Sequence, residues 1–217
     1  MEKLIVVGAG GFAREVMWQI QSKNKLTNQY EILGYVDEST LKGTIVNSLP
    51  VLGDDNWLLQ NEIEVNVVIA VGSPSLRKRI YEKLSTNQNL KFPTILAANA
   101  TYSDTVTFGQ GCIICEKSIF TTNISVGDFV VVNPGCIVSH DTNIGDFVTI
   151  APGANLAGNV QVGAGSKIGL GTNIIPGKTI GENSIIGAGA VVTSDIPSNC
   201  TAVGVPARPI KCHGTEV

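Results

Sequence analysis

One histidine and the acid that follows it are the side chains of this sequence best suited to proton transfer. Histidine titrates near neutral pH, as a general base requires. His140 lies in the segment VSHDTN, whereas the second histidine, His213, lies in the C-terminal tail. Asp141 can hydrogen-bond one nitrogen of the His140 ring, which fixes the tautomer and raises the basicity of the other nitrogen. We therefore predict that His140 is a general base and that Asp141 orients it.

A glycine-rich turn near the N-terminus has the spacing of a phosphate-binding loop. Gly8, Gly10, Gly11 and Ala13 satisfy the pattern G-x-G-x-x-A after an apolar strand and before a helix. Backbone N–H groups in such a turn can receive a phosphate. Asp37, at the end of the second strand, is placed to receive ribose hydroxyls. These features ordinarily indicate NAD, but only one mononucleotide-binding half is present.

The first 98 residues alternate strands with helices. The predicted strands are Leu4–Val7, Ile32–Val36 and Val65–Val71, and the predicted helices are Ala13–Lys23 and Ser75–Leu84. In the last helix Leu76, Ile80 and Leu84 lie four apart on one apolar face. This alternation predicts a small Rossmann-like α/β domain, residues 1–98, with helices packed on a parallel sheet. Gly72 and Ser73, after the third strand, then share the edge of the sheet that carries the glycine turn, where they can touch a base.

From Tyr102 onward every sixth residue is apolar, although apolar residues make up only 43% of the chain. The series is Tyr102, Phe108, Ile114, Phe120, Val126, Val132, Val138, Ile144, Ile150, Leu156, Val162, Ile168, Ile174, Ile180, Ile186 and Val192. A hexapeptide repeat indicates a parallel β-helix, because each coil must stack on its neighbours to bury its apolar side. We predict an all-β parallel β-helix over residues 99–217.

Glycines that recur every eighteen residues indicate that three hexapeptides form one triangular coil. The two series are Gly109, Gly127, Gly145, Gly163 and Gly181, and Gly135, Gly153, Gly171 and Gly189. Glycine suits corners where the backbone adopts conformations that a Cβ disfavours. Small or β-branched residues follow most apolar positions by four and are predicted to point inward: Cys112, Val130, Cys136, Val148, Ala154, Ser166, Thr172 and Ala190. Lys178 breaks this rule.

Composition argues against several classes of protein. A net charge of -3 offers no broad basic surface for nucleic acid or anionic lipid. The longest apolar run is far shorter than the roughly 20 residues that span a bilayer, and the N-terminus has no export signal. We therefore expect a cytoplasmic protein without a membrane partner. Its five cysteines are expected to be reduced, and the single C-x-x-C pair, Cys112 and Cys115, does not predict a metal site.

The repeats, followed by the tail VGVPARPIK (Val203–Lys211), resemble the hexapeptide-repeat acyltransferases, whose β-helix is left-handed. VVGAGGFAREV, GYVDES, AVGSPSLRKRIYEKL and VSHD narrow the resemblance to the nucleotide-sugar N-acetyltransferases of bacterial glycan synthesis and their sialic acid O-acetyltransferase relatives. The resemblance spans nearly the whole chain. It implies a homotrimer that moves an acetyl group from acetyl-CoA to a nucleotide-linked 4-amino-4,6-dideoxy sugar without a metal. The N-terminal domain is then expected to hold a sugar nucleotide.

The resemblance also implies where acetyl-CoA binds. It assigns contacts to Thr149, Leu170 and Ala188, the last two through backbone groups, and Thr149 stands where other members have histidine. Arg208 and Lys211 in the tail are candidate partners for the CoA phosphates. The pantetheine arm is expected to run between neighbouring subunits.

Two further residues enter through the resemblance. Gly158 follows His140 by eighteen residues, so it lies one coil further along the same corner. Its backbone N–H can stabilise the oxyanion of a tetrahedral intermediate, although a glycine at a corner needs no catalytic reason. Phe12 stands where many relatives have histidine, so its contact with the sugar is expected to differ.

Three alternative functions remain at this point. The first is O-acetylation of a sialic acid or another hydroxyl with the same base. The second is a γ-type carbonic anhydrase, which needs three histidines per zinc, whereas one histidine lies within these repeats. The third is a non-catalytic scaffold in which the β-helix trimerises a nucleotide-binding domain.

Overall fold

The computed structural model of the protein describes residues 1–212, so His213 lies outside the described residues. Within this range a small α/β domain is followed by a three-sided parallel β-helix. Among the described residues, no helix is both long enough and apolar enough to cross a membrane.

The N-terminal domain is an α/β sheet in which only one strand pair is antiparallel. Its elements are β1 (Glu2–Val7), α1 (Gly11–Thr27), β2 (Tyr30–Val36), β3 (Ile45–Val46), β4 (Leu49–Gly53), α2 (Asp55–Leu59), β5 (Val65–Ile69), α3 (Pro74–Leu84) and β6 (Leu90–Lys91). The strand order is β3-β4-β2-β1-β5-β6, and only β3 and β4 are antiparallel. The carboxyl ends of β1, β2 and β5 therefore meet at one edge of the sheet, as the Rossmann-like prediction requires.

The helix α3 departs from its predicted apolar face. Leu84 is buried, but Leu76 is 40% exposed and the neighbouring Arg77 is completely buried. The physical reason is that the inner side of α3 meets carbonyl groups of the β-helix as well as apolar side chains. The apolar spacing of four residues could not reveal such a partner.

The second domain consists of short strands joined by corners. The strands are β7 (Ile95–Leu96), β8 (Thr101–Tyr102), β9 (Thr107–Phe108), β10 (Ile113–Ile114), β11 (Ile119–Phe120), β12 (Ser125–Val126), β13 (Val131–Val132), β14 (Ile137–Val138), β15 (Asn143–Ile144), β16 (Thr149–Ile150), β17 (Asn155–Leu156), β18 (Gln161–Val162), β19 (Lys167–Ile168), β20 (Asn173–Ile174), β21 (Thr179–Ile180), β22 (Ile185–Ile186), β23 (Val191–Val192), β24 (Cys200–Val203) and β25 (Arg208–Cys212). The boundary that the sequence predicts between residues 98 and 99 stays a prediction, and β7 already pairs with β10.

Three sheets form the sides of the prism. The first face contains β7, β10, β13, β16, β19, β22 and β24, with β25 added antiparallel at the end. The second face contains β8, β11, β14, β17, β20 and β23, and the third face contains β9, β12, β15, β18 and β21. Neighbouring strands on a face pair in parallel, as Ile137 pairs with Asn155 one coil further on. The coil of eighteen residues is thereby confirmed.

The apolar series fills the interior of the prism. From Ile114 to Val192 every member of the period-six series is buried, and all the predicted small inward residues are buried as well. Tyr102 is 45% exposed and Phe108 is half-buried. Both lie on the outermost strands of their faces, β8 and β9, where no further coil covers them.

The two series of glycines serve different purposes. Gly153 has a φ of 68°, in the left-handed region that glycine adopts without cost, and its series shares this conformation. The other series does not. A Cβ on Gly145 would lie 2.7 Å from the backbone nitrogen of Ala164, in the next coil. The conformational prediction is therefore wrong for this series, which needs glycine because adjacent coils approach closely.

The N-terminal domain covers only the lower coils of the first face. Ile113, Val131 and Thr149 point outward from this face and are buried beneath the domain, whereas Lys167 and Ile185, in higher coils, are exposed. The domain thus leaves the outward side chains of the upper first face uncovered.

Candidate active site

His140 lies in the turn between β14 and β15, at the corner where the second and third faces meet. Its side chain is 59% exposed, and Nδ1 is 2.8 Å from Oδ2 of Asp141. Asn123, one coil below, donates from Nδ2 to Oδ1 of Asp141 at 3.2 Å. Asp141 has a φ of 60°, a left-handed conformation that aspartate adopts more readily than most residues. The predicted contact between His140 and Asp141 is therefore confirmed.

The charge state of Asp141 favours one tautomer of the histidine. The hydrogen bond with His140, and then the one from Asn123, hold the pKa of the Asp141 carboxyl below its ordinary value. The carboxylate is therefore ionised at neutral pH and can accept a proton only as a hydrogen bond from Nδ1–H. In that tautomer Nε2 carries the free lone pair, as a general base requires.

Gly158 lies against the His140 ring, one coil further along the corner. A Cβ at this position would overlap Cε1 and Nε2 of the imidazole and would lie 3.0 Å from Nδ1. Gly158 is buried, its φ is outside the left-handed region, and its N–H has no hydrogen-bond partner among residues 1–212. The glycine is therefore needed for the close approach of the ring. The spacing of eighteen residues from His140 was the only signal of this contact in the sequence.

Two of the residues assigned to acetyl-CoA lie at a different corner. Leu170 and Ala188 are exposed in the turns between the first and second faces, in adjacent coils. The carbonyl of Leu170 accepts from the N–H of Gly189 at 2.8 Å, whereas the N–H groups of Leu170 and Ala188 have no partner within the described part of the chain. These donors are available to a ligand, but in one subunit they do not share a corner with His140.

The tail residues lie at the end of the prism. Arg208 and Lys211 are exposed on β25, which pairs with β24 on the first face. The Nη1 group of Arg208 donates to the carbonyl of Ala207 at 3.0 Å. Both cations lie toward the end of the prism that carries Ala188, and their binding to CoA phosphates stays a prediction.

Thr149 is a correction to the predicted site. It is 3% exposed on β16, beneath the N-terminal domain. Its hydroxyl donates to the carbonyl of Gly72 at 2.9 Å and accepts from Nη2 of Arg77 at 3.0 Å. Acetyl-CoA cannot reach this side chain. The repeat pattern shows only that Thr149 faces out of the coil, and the N-terminal domain covers that outward surface.

A cavity of about 550 Å³ lies at the carboxyl ends of β1, β2 and β5. Of the predicted nucleotide-binding residues, Gly8 and Asp37 line it. Its apolar walls come from Val7, Val71, Leu76 and Ile80. Its remaining charged side chains are Glu38, Asp55, Arg79 and Lys83, which sequence reasoning did not identify. Their types and spacing matched no motif that we could interpret.

Asp37 holds the glycine turn in place. Its Oδ2 accepts from the N–H of Ala9 at 2.9 Å, and its Oδ1 accepts from the N–H and hydroxyl of Ser39 and from the N–H of Thr40 at 2.7 to 3.0 Å. Burial raises the pKa of Asp37, but these hydrogen bonds outweigh it, so the pKa lies below the ordinary value. Because four donors already use its lone pairs, a ribose hydroxyl must share or replace one of them.

The other predicted nucleotide contacts lie beside the cavity. Gly10 caps α1 and Gly11 begins it, with no side chain bonded to the first N–H groups. Phe12 is half-buried against the core of the N-terminal domain. The carbonyl of Gly72 accepts from Thr149, and the hydroxyl of Ser73 caps α3. Their contacts with a nucleotide stay predictions.

The N-terminal domain matches a known protein family. Residues 3–84 match the family model described as the PglD N-terminal domain. Comparison with curated protein sequences gave no match.

Several solved structures resemble the whole chain. The acetyltransferase domain of PglB from Neisseria gonorrhoeae, in complex with acetyl coenzyme A, has a TM-score of 0.89 and 33% identity over 96% of this chain and 99% of that chain. WeeI from Acinetobacter baumannii has a TM-score of 0.87 and 31% identity over 97% of this chain and 100% of that chain. A mutant perosamine N-acetyltransferase from Caulobacter crescentus, in complex with CoA and GDP-perosamine, has a TM-score of 0.89 and 28% identity over 97% of this chain and 98% of that chain.

Proposed function

The chain belongs to the hexapeptide-repeat acyltransferases with a left-handed β-helix, in their nucleotide-sugar N-acetyltransferase group, and we propose that it acetylates the C4 amine of a nucleotide-linked 4-amino-4,6-dideoxy sugar. It is an acetyltransferase, and acetyl-CoA is its cosubstrate. In this proposal His140 is the general base and Asp141 orients it.

The geometry around the His140 ring is the main observation that supports the proposal. Nδ1 is engaged by Asp141 at 2.8 Å, and the ring lies against the Cα of Gly158 on an exposed corner. These contacts leave Nε2 free to receive a proton, beside a backbone N–H that has no partner within the described residues. One basic nitrogen and one unpaired donor at the same position are what acyl transfer from a thioester requires.

The reaction follows from these groups. The neutral amine of the sugar attacks the carbonyl carbon of acetyl-CoA, and Nε2 of His140 takes the proton that the amine loses. The N–H of Gly158 donates a hydrogen bond to the developing oxyanion. The tetrahedral intermediate then expels the CoA thiolate, which takes up the proton that His140 holds. The products are the N-acetylated nucleotide sugar and free CoA.

The positions of His140 and of the cavity in the N-terminal domain support a homotrimer. His140 lies at the corner opposite the first face, and the nucleotide cavity belongs to the domain that covers the first face. One copy therefore keeps its cavity and its histidine on opposite sides of the prism. On the second face, Ile119 and Ile137 expose about 40% of their surface beside this corner. We propose that a neighbouring copy covers this surface and completes the site with its own half.

The choice of amine over hydroxyl can be tested with matched acceptors. The full chain is incubated with acetyl-CoA and with UDP-, GDP- or dTDP-linked 4-amino-4,6-dideoxy sugars, and release of the CoA thiol is followed. The control is the same nucleotide sugar with a hydroxyl at C4. We expect thiol release and an acetylated product with one of the amines. Preferential acetylation of the hydroxyl contradicts the proposal, and so does the absence of thiol release with every acceptor.

Asp141→Asn is expected to slow acetyl transfer without unfolding the protein. The amide can donate to Nδ1, which favours the tautomer that has its proton on Nε2 and cannot act as a base. In a buried triad this substitution costs about 10⁴-fold in kcat. Asp141 is 54% exposed, so water can take over part of its role. We therefore expect a smaller loss, roughly 10- to 10³-fold, from steady-state kinetics.

The contact between Asn123 and Asp141 provides a graded control for that variant. Asn123→Ala removes only the support of the carboxylate and leaves its charge. It is expected to lower kcat less than Asp141→Asn does. An Asp141→Asn variant with the activity of the wild type would exclude Asp141 from the mechanism.

A further inference from the structure

A buried cation connects the nucleotide-binding domain to the β-helix. Arg77, on the first turns of α3, has no exposed surface. Its guanidinium group makes five hydrogen bonds, with donor–acceptor distances between 2.7 and 3.1 Å. Four of the five acceptors belong to the β-helix and one belongs to the N-terminal domain.

The acceptors in the β-helix lie at the corner between the third and first faces. Nε of Arg77 donates to the carbonyl of Phe129 at 2.9 Å. Nη2 donates to the carbonyls of Phe147 and Val148, at 2.8 and 3.1 Å, and to the hydroxyl of Thr149 at 3.0 Å. Because Phe129 and Phe147 belong to adjacent coils, one side chain spans two coils of the prism.

The same corner packs against α3. Phe129 and Phe147 have φ values of 54° and 57°, the left-handed conformation that recurs every six residues at the corners of the prism, as at Asn123 and Asp141. The two phenylalanine rings stack at 5.3 Å, and Tyr81, one helical turn after Arg77, packs on Phe129 at 4.1 Å. The carbonyls and rings of this corner thus form the surface on which the inner side of α3 packs.

The outer side of α3 forms one wall of the nucleotide cavity. Leu76, Arg79, Ile80 and Lys83 line the cavity from this helix. Nη1 of Arg77 also donates at 2.7 Å to the carbonyl of Val71, in the loop that completes the wall. Thr149 bonds the next carbonyl in that loop, Gly72. The hydrogen bonds that hold Arg77 and Thr149 therefore also hold the cavity wall in its position relative to the β-helix.

The charge of Arg77 has no acidic partner among these contacts. All five acceptors are neutral, and burial lowers the pKa of Arg77 to about 10, so the group remains a cation at neutral pH. An unpaired buried charge is costly, whereas an apolar side chain would fill the space more cheaply. A planar guanidinium does what neither methionine nor lysine can do, because it directs several N–H groups at fixed angles to separate acceptors.

We propose that Arg77 is a positioning residue that locks the α3 wall of the nucleotide cavity onto the β-helix, and thereby sets where the acceptor amine meets the acetyl group. This inference rests on the proposed function for its kinetic readout. It assigns Arg77 no contact with either substrate. The residues that line the cavity all belong to the N-terminal domain, so we expect nucleotide affinity to depend on this lock much less than kcat does.

The test compares Arg77→Lys with Lys78→Met in the full chain. Lysine keeps the positive charge but lacks the planar group of N–H donors. Lys78→Met is the control, because Lys78 is a neighbouring exposed cation on the same helix, and its carboxylate partner, Glu82, is 4.0 Å away. Binding of UDP, GDP and dTDP is measured by calorimetry, kcat is measured with the amino-sugar nucleotide that the wild type accepts, and deuterium uptake is measured in α3. We expect Arg77→Lys to lower kcat by about 10- to 10²-fold, as small misplacements of reactants do. Nucleotide affinity is expected to fall much less than kcat, and α3 is expected to exchange faster.

Each other outcome also decides the question. A folded Arg77→Lys variant with wild-type kcat overturns the proposal, and so does an equal loss of nucleotide affinity and kcat, which indicates a collapsed cavity. If Arg77→Lys does not fold, the kcat of Thr149→Val is measured instead. This variant removes the hydrogen bond to Gly72 and one hydrogen bond from Arg77. An unchanged kcat in Thr149→Val overturns the proposal. If the wild type acetylates no amino-sugar nucleotide, the proposed function fails, and deuterium uptake still decides the role of Arg77. In that case, equal uptake in Arg77→Lys and Lys78→Met overturns it.

Discussion

His140→Ala is expected to lower kcat by about 10²- to 10⁴-fold, the range that a positioned general base contributes. The loss follows because, among residues 1–212, no other side chain at this corner can accept a proton from the attacking amine at neutral pH, and Asp141 is held in its ionised form by His140 and Asn123. His140 is 59% exposed and contributes nothing to the apolar interior. The variant should therefore keep the fold and assembly of the wild type. Steady-state kinetics with saturating acetyl-CoA provides the measurement.

Thr179→Ala is a suitable control for that experiment. Thr179 is exposed on the third face, on β21, two coils beyond the strand β15 that follows His140, so its removal tests the effect of altering an outer surface of the prism. It should leave kcat unchanged. A His140→Ala variant that turns over as fast as this control would remove the histidine from the mechanism.

Gly158→Ala is expected to reduce kcat by roughly 10²-fold, although it adds a single methyl group. The new Cβ would overlap Cε1 and Nε2 of His140, so the ring must leave its position. A displacement of about 1 Å at a reacting group can cost 10²-fold in rate. Alanine keeps the backbone N–H, so the oxyanion donor is retained. Because His140 is exposed, its ring can move without disturbing the core, and we expect circular dichroism and thermal unfolding to resemble those of the wild type.

A double-mutant cycle separates the displacement of the ring from any other effect of Gly158→Ala. If the substitution acts through the imidazole, it should lower the residual activity of His140→Ala no further, because the ring that it displaces is already gone. Additive losses in the double variant would show that Gly158 acts on catalysis by another route. Wild-type activity in Gly158→Ala would mean that the observed packing of the ring has no role in the reaction.

The β-helix could be predicted because its physics is local and repeated. Each coil must place an apolar residue inward at every sixth position, so the interior residues from Ile114 to Val192 follow from the sequence alone. The same register places His140 at a corner and Gly158 directly above it. Adjacent residues at a corner can meet through local backbone geometry, and the contact between His140 and Asp141 follows for that reason.

What covers the outside of a coil could not be predicted from the repeat. Thr149 faces outward in the pattern, but the N-terminal domain buries it, and this contact depends on how the surfaces of the two domains meet. Arg77 was missed for the same reason. In the segment SLRKRIYEKL it reads as one of four cations on a solvated helix, and four of the five acceptors that satisfy its buried guanidinium group belong to the β-helix.

The cavity at the carboxyl ends of β1, β2 and β5 was predicted only in part. The glycine turn and Asp37 have a recognised spacing, whereas the charged residues that complete the cavity come from separate elements of the chain. Lys83 on α3 bridges Glu38, after β2, and Asp55, at the start of α2, with distances of 3.2 and 3.3 Å. Only the folding of the sheet brings these three residues together.

A crystal structure of the full chain with CoA and the accepted amino-sugar nucleotide tests the role of His140 most directly. We expect Nε2 of His140 to lie about 2.6 to 3.2 Å from the C4 amine, within hydrogen-bond reach of the proton that it must accept. We also expect the nucleotide to occupy the cavity of one copy and the histidine to come from its neighbour. A sugar bound with its amine remote from every copy of His140 would contradict the proposed mechanism.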